Sequence, residues 1–303
     1  MENIINIKNL TKDYGGNKGI FDFSFDIRRG EVFGFVGTNG SGKTTTIRNM
    51  MGFLKPDKGT VTINGLDSWK DAKEIKKKVG YIPGQIDFPD VGTGTNFLKI
   101  QADFLGIKDL TYMNELIDMF KLDTDASLKR MSKGMKQKTA IVAAFMSEPD
   151  ILILDEPSTG LDPMMRDKLI ELILKQKEKG STVFMSSHIF KELEDTCDRV
   201  GFISSGKMLN IVEIGKYTDS IGKLYKIGFA EEVEYQNFLH SEYKITKKND
   251  KYCHLALEIG DSDINRLFKN LSEYDIRYIN YQPYTLEWYY TNIIQNQEVQ
   301  LHV

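Results

Sequence analysis

The chain has 303 residues, of which 41% are hydrophobic and 27% charged. That balance belongs to a soluble globular protein with length for one large or two modest domains. A formal net charge of −3 gives no global electrostatic reason to expect a nucleic-acid partner, and no apolar stretch approaches the roughly 18 to 20 residues that span a bilayer. The two cysteines, Cys197 and Cys253, stand far apart without metal-ligand spacing, so neither a disulfide framework nor a zinc site is indicated and a reducing interior fits. The opening Met1-Glu2-Asn3 has neither a basic segment nor an apolar one after it, so no leader is expected.

Residues 4 to 36 read as strands. Phe21, Phe23, Phe25 and Ile27 alternate with Asp22, Ser24, Asp26 and Arg28, the period of a half-buried strand. In the turn from Thr11 to Gly16, Tyr14 offers a flat ring on which a base can stack. Next, Gly37-Thr38-Asn39-Gly40-Ser41-Gly42-Lys43-Thr44 spells a complete G-x-x-x-x-G-K-[ST] phosphate loop, set between a short apolar run and a helix that begins near Thr45. Such a loop binds a nucleoside triphosphate: its glycines let backbone N–H groups converge on phosphate oxygens at a helix N-terminus. Lys43 adds a point charge for the β- and γ-phosphates, and the Thr44 hydroxyl is a hard oxygen suited to Mg²⁺.

Gly59 to Gly65 resembles a strand closing on an Asn-Gly turn, and Val79-Gly80-Tyr81-Ile82-Pro83 another strand edge. The lysine run Lys73, Lys76, Lys77 and Lys78 surrounds Glu74 on a helix and reads as a solvated face. From about 94 to 130 the pattern turns helical, with Phe97, Gln101, Phe104 and Leu105 on one stretch and Met113, Leu116, Ile117 and Phe120 on the next. Ser132 is a good N-cap for the apolar helix through Ala140 to Met146. Ile151-Leu152-Ile153-Leu154-Asp155-Glu156 is a fully apolar run that delivers two carboxylates at its end, the form of a central parallel strand with acids at its carboxyl edge. After the Ser158–Pro163 turn comes a helix carrying Leu169, Ile170, Ile173 and Leu174. The strand from Thr182 then ends at Ser187-His188, before a helix reaching about Cys197.

With these motifs in this order, residues 1 to about 215 resemble the nucleotide-binding subunit of an ABC transporter, most like the subfamily serving two-subunit ABC-2 type exporters. The resemblance implies an α/β fold, a phosphate-loop NTPase cassette. Its RecA-like core would carry an antiparallel β subdomain and a helical subdomain over about 85–145. It further implies that Thr45 joins the phosphate loop in holding ATP, that Asp155 orients Mg²⁺, and that Glu156 polarises the attacking water. His188 matches the switch histidine that meets the γ-phosphate, Tyr14 the adenine-stacking position, and Leu161 and Asp162 a loop that crosses a dimer interface. Ser132 and Gly134 match the signature that reaches the γ-phosphate held by an opposite subunit, although Met131, Lys133 and Met135 depart from the common Leu-Ser-Gly-Gly-Gln. Lys133 either adds a phosphate contact or points to solvent. Gly84 stands where the family usually has Gln after the proline, which leaves Gln85, one position later, as the candidate Mg²⁺ ligand.

Implied with the family are a membrane-spanning permease on a separate chain, a second copy of this chain or a homologous cassette, and a cytoplasmic place on the inner face of the membrane; no nucleic acid is expected. The segment from Gln85 to Phe104, with Ile86, Phe88, Phe97 and Ile100, is the candidate permease surface, against the reading that these are core residues of the helical insert. Two rival functions remain: a soluble ATPase of the superfamily acting on ribosomes or DNA, and a regulatory or immunity subunit with little turnover. A single cassette without sustained heptads weighs against the first. Residues 216–303 share nothing with the cassette motifs. They read as strand, helix, strand, strand, helix, strand, a small α+β accessory domain with ferredoxin-like order, and Thr285–Tyr290 resembles the closing helix of the same exporter subfamily.

Overall fold

A computed structural model describes residues 2–215, 223–282 and 285–291, and the chain divides into two compact units, Met1–Ile214 and Gly215–Val303. In chain order the first unit runs β1 (Asn3–Asp13), β2 (Gly19–Arg28), β3 (Val32–Gly37), α1 (Lys43–Met50), β4 (Lys58–Ile63), β5 (Leu66–Asp67), α2 (Ala72–Lys78), β6 (Val79–Ile82), α3 (Gly94–Leu105) and α4 (Thr111–Met119). It continues with α5 (Lys133–Phe145), β7 (Ile151–Asp155), α6 (Pro163–Glu178), β8 (Thr182–Ser186), α7 (Phe190–Thr196), β9 (Arg199–Ser204) and β10 (Lys207–Glu213).

Two sheets divide the strands. The order β2-β1-β4-β5 forms an antiparallel sheet. The order β10-β9-β3-β8-β7-β6 forms a second sheet, parallel from β9 to β6 with β10 antiparallel at its edge. Strands β3, β7 and β8 are buried at every position, as near-continuous apolar runs in a parallel sheet require. The alternation on β2 turns Phe23, Phe25 and Ile27 inward. Phe25 stacks on Phe33 with ring centroids 5.4 Å apart, and Phe33 on Phe184 at 6.0 Å, so aromatic contacts tie the antiparallel sheet to the parallel one. Each such pair contributes about 0.5 to 1.5 kcal/mol beyond its buried area.

Because β3, β7 and β8 run parallel in register, with Phe35 opposite Ser186 and Asp155 opposite Ser186, the chain leaves all three at one edge. That edge therefore receives the phosphate loop, the Asp155-Glu156 pair and Ser187-His188 together.

The helical segment lies between β6 and β7 in sequence. Thr93 caps α3 by accepting from Asn96 N, and Gly106 ends it. Of the Phe97, Gln101, Phe104 and Leu105 stretch only Phe97 is buried, beside Leu98 and Ala102, while Phe104 is 68% exposed. Lys77 pairs with Glu74 at 3.1 Å on the exposed side of α2, a solvated charge face.

The second unit comprises β11 (Lys223–Phe229), α8 (Glu232–Leu239), β12 (Lys244–Asn249), β13 (His254–Ile259), α9 (Ile264–Leu271) and β14 (Ile276–Gln282). Its antiparallel sheet has the order β12-β13-β11-β14. Phe229, Tyr235, Phe238, Leu257 and Leu267 are fully buried at its core, and residues 286–291 are helical.

Candidate active site

Strand β3 ends at Gly37, and the chain loops through Thr38–Ser41 to Gly42, whose φ of 114° starts α1 in a conformation that a Cβ would disfavour. Lys43, first in that helix, is only 7% exposed. Its Nζ donates to the Gly37 carbonyl at 2.7 Å and the Thr38 carbonyl at 3.3 Å, and stands 3.7 Å from the Glu156 carboxylate. The ammonium is thus held at the loop by neutral carbonyls, a setting in which phosphate oxygens make the stronger, charge-assisted partner. Ser41 Oγ is buried with no hydrogen-bond partner among the described residues.

Asp155, at the end of β7, is wholly buried. Its carboxylate accepts from Thr44 Oγ1 at 2.9 Å and from Ser186 Oγ at 2.6 Å. The Ser186 hydroxyl in turn accepts from Glu156 N at 3.0 Å, so one residue at the end of β8 holds both acids. Glu156 has a φ of 52°, the left-handed region that an unbranched side chain tolerates at a cost and that recurs where a strand must turn sharply at a functional site. Its Oε2 lies 2.5 Å from His188 Nδ1. Glu156 is largely enclosed while His188 is 59% exposed, so the carboxylate faces the cleft with the imidazole at its rim.

A cleft of about 890 Å³ gathers Tyr14, Asn39, Gly40, Gly42, Lys43, Thr44, Thr45, Gln85, Glu156 and His188 along its walls. Gly37, Thr38, Ser41 and Asp155 are not among its lining residues; the Gly37 and Thr38 carbonyls accept from Lys43, and Asp155 accepts from Thr44. Sequence patterns did not flag Asn17, Lys18, Arg48, Thr159 or Ser205, which also line it. Nor did they flag Ser186, whose signal was only the polar Ser-Ser-His ending of an apolar strand. Tyr14 lines the same cleft and is 53% exposed, open for stacking.

Ser132 and Gly134 do not border this cleft. Ser132 caps α5 by accepting from Met135 N at 3.2 Å and is itself exposed. A Cβ on Gly134 would stand 2.8 Å from the Gly160 carbonyl oxygen, so the first turn of α5 rests against the loop after Glu156. The buried Gln137 Nε2 donates to the Pro157 carbonyl at 2.7 Å and fixes that seat. The Lys133 stem runs along Gly160, where an added Cβ would meet its Cγ at 3.1 Å.

Gly84 has its own reason. A Cβ there would lie 2.7 Å from Asp155 Oδ2 and 3.0 Å from its Cγ, and that carboxylate is already held by two hydroxyls. Replacing Gly84 with the glutamine usual at this place, Gly84→Gln, is therefore expected to displace Asp155 and lower ATP hydrolysis severalfold rather than raise it. A variant at or above the parent rate in a steady-state phosphate-release assay would refute this account of Gly84.

Residues 20–159 match the family described as "ABC transporter". The chain is 32% identical over 304 residues to the "Bacitracin transport ATP-binding protein BcrA" of Bacillus licheniformis, covering 97% of this chain and 98% of that protein. It is 33% identical over 227 residues to the "Linearmycin resistance ATP-binding protein LnrL" of Bacillus subtilis, covering 73% of this chain and 72% of that one. Among solved structures, "Structure of ATP binding subunit of ABC transporter" superimposes with a TM-score of 0.66 at 30% identity, over 72% of this chain and 92% of the other. The BcrA match extends through the second unit as well as the first.

Proposed function

Since the chain belongs to the ABC transporter family, as an ATP-binding subunit, we propose that it binds and hydrolyses ATP as one of a pair and so drives a separate membrane permease of the exporter kind. The single observation that carries the catalytic part is the convergence of Lys43, Thr44, Asp155, Glu156 and His188 on one cleft edge.

Tyr14 takes the adenine, the amides of residues 37–45 and Lys43 take the phosphates, and Glu156 accepts the proton of the attacking water with His188 beside it. A positioned base of this kind is worth on the order of 10² to 10⁴ in rate. Mg²⁺ fits the donor set. Thr44 and Asp155 offer hard oxygens 2.9 Å apart, Gln85 lines the same cleft, and no three His, Cys, Asp or Glu side chains among the described residues cluster to hold a metal alone. An ion with few protein ligands completes its shell with water and phosphate oxygens. When bound, it neutralises charge developing on the phosphates.

Ser132 and Gly134 belong to the partner's site. They do not border the cleft that holds Lys43 and Glu156, yet Ser132 is exposed and caps the α5 N-terminus, a ready anion site. Each ATP is then held by residues 37–45, Asp155, Glu156 and His188 of one copy and residues 132–134 of the other. Closure follows ATP binding, and hydrolysis reopens the pair.

The permease surface is a separate groove of about 260 Å³ lined by Phe53, Tyr81, Ile86, Phe88, Phe97 and Phe104. Phe88 and Phe97 pack 4.7 Å apart between centroids, while Phe53 and Phe104 are 50% and 68% exposed. Such a patch supports docking of an apolar segment. No helix among the described residues is long and apolar enough to cross a membrane; the chain is held at the inner face through that second chain. What BcrA and LnrL are named for, bacitracin transport and linearmycin resistance, favours a transport role of the resistance kind.

The pairing is tested by dilution. ATP hydrolysis per mole of chain is expected to fall as concentration drops, with second-order dependence on the chain. A rate per mole that stays flat over a wide dilution range at saturating ATP and Mg²⁺ rules out the shared site.

A further inference from the structure

One buried carboxylate outside the cleft is used by none of these steps. Glu192, on α7, is 2% exposed. Its Oε2 accepts from Ser158 Oγ at 2.9 Å and from Ser187 Oγ at 3.0 Å. Ser158 follows Glu156 by two positions, and Ser187 immediately precedes His188. The same oxygen therefore grips the loop after the catalytic base and the loop carrying the histidine. Oε1 lies 3.1 Å from Arg166 Nε on α6, but off the N–H direction, so neither atom has an aligned hydrogen-bond partner. Burial raises the carboxyl's pKa, against which the Ser158 and Ser187 hydroxyls, Arg166 and His188 pull it down; the group is buried where its donors converge.

We propose that Glu192 is a positioning residue that locks the 156–162 loop to His188, so that the segment supporting α5 and the segment holding the histidine move as one. The proposal rests on the ATPase reading above. The tie has a mechanical consequence. Gly134 and Gln137 rest on Gly160 and Pro157, so a shift of α5 reaches Ser158 through the loop, passes through the shared oxygen to Ser187, and so sets the angle at which His188 meets Glu156. A carboxylate bonded twice through one oxygen transmits such a shift where two separate waters would absorb it. The competing explanation is that Glu192 only fastens α7 to the sheet, in which case its loss lowers stability without acting through His188.

The test uses the full chain, with steady-state ATP hydrolysis at saturating Mg²⁺ and binding of a fluorescent ATP analogue. Glu192→Ala is expected to lower kcat about tenfold while leaving nucleotide Kd within about twofold, because no atom of Glu192 lines the cleft; acting through one partner, it should cost less than about twofold more in a His188→Ala background. Glu192→Gln keeps a carbonyl acceptor for both hydroxyls and should recover part of the loss. Should Glu192→Ala fail to fold, the double variant Ser158→Ala with Ser187→Ala, which removes only the two hydroxyls, is expected to show the same drop in kcat and the same dependence on His188. An unchanged kcat in the serine pair, or a loss on Glu192→Ala just as large without His188 as with it, overturns the tie. If the parent hydrolyses ATP and Glu156→Gln does not, that failure leaves the ATPase reading standing; a parent without hydrolysis removes both.

Discussion

Glu156→Gln is expected to bind ATP at least as tightly as the parent protein, to lose hydrolysis by about 10²- to 10⁴-fold, and to accumulate as an ATP-bound pair. Each part follows from the geometry. The side chain keeps its shape, so the amide can still meet His188, which sits 2.5 Å away in the parent. Lys43 Nζ, 3.7 Å from the parent carboxylate, loses a competing anion and is freed for the phosphates, while the repulsion between Glu156 and an incoming γ-phosphate disappears. Binding therefore strengthens as the proton acceptor is lost. With hydrolysis blocked, nothing replaces the bridging triphosphate with separate products, and the closed pair persists. Sizing chromatography with ATP and Mg²⁺, read alongside single-turnover hydrolysis, checks both halves. A Glu156→Gln chain that elutes as a monomer with ATP bound contradicts the paired site, and one that turns over at the parent rate removes Glu156 from the base role.

The sequence makes legible those parts of this fold in which one local rule dominates. Four consecutive aliphatics ahead of Asp155, in a short run with Pro149 before it and Pro157 after it, read as a strand buried on both faces, and all five positions of β7 are buried. The serine before an apolar helix is its cap, as Ser132 is. What stays hidden are contacts between distant segments that no period announces. Ser186 holds Asp155 and Glu156 together across the sheet, but in the sequence it is one polar residue among several at a strand end. Gly84 looks like a lapse from a pattern until the Asp155 carboxylate is found where its side chain would go. The helical stretch misleads for another reason. Phe104 shares a helical face with Phe97 and reads as core by hydrophobicity alone, yet it is exposed, because hydrophobicity does not by itself separate a core position from a surface one. In the second unit the order β-α-β-β-α-β was readable from alternation and turns, but an arrangement that hosts many unrelated functions does not by itself assign one.

The separation of residues 132–134 from their own cleft leads to the second large effect. Ser132→Asp is expected to abolish hydrolysis without weakening the fold, because aspartate caps a helix as well as serine and the site is exposed, so the α5 N-terminus survives. What changes is the charge. An anion now stands where a partner's γ-phosphate must approach, turning a favourable helix-end interaction into repulsion. Lys43→Ala is expected to be equally inactive for the opposite reason, since it strips the charge from the phosphate loop of the same chain. In a mixture, a pair formed by one chain of each kind contains two unlike sites. One joins the damaged loop to the damaged cap, and the other joins an intact loop to an intact cap. Random pairing makes half the dimers mixed, each with one working site, so equal mixing of two dead proteins should restore about a quarter of parent activity if the symmetric sites act independently. The readout is phosphate release against mixing ratio, with a maximum near equimolar. Recovery by mixing cannot arise if each chain completes its own site, so a mixture as inactive as its components, made of chains that still dimerise with ATP, would show either that residues 132–134 serve no partner or that both sites must fire together. The two are separated by a covalently linked pair carrying Ser132→Asp and Lys43→Ala in the same half, which leaves neither site complete and should be dead under the shared-site scheme, whereas self-contained sites would leave its unmodified half at about half of parent activity.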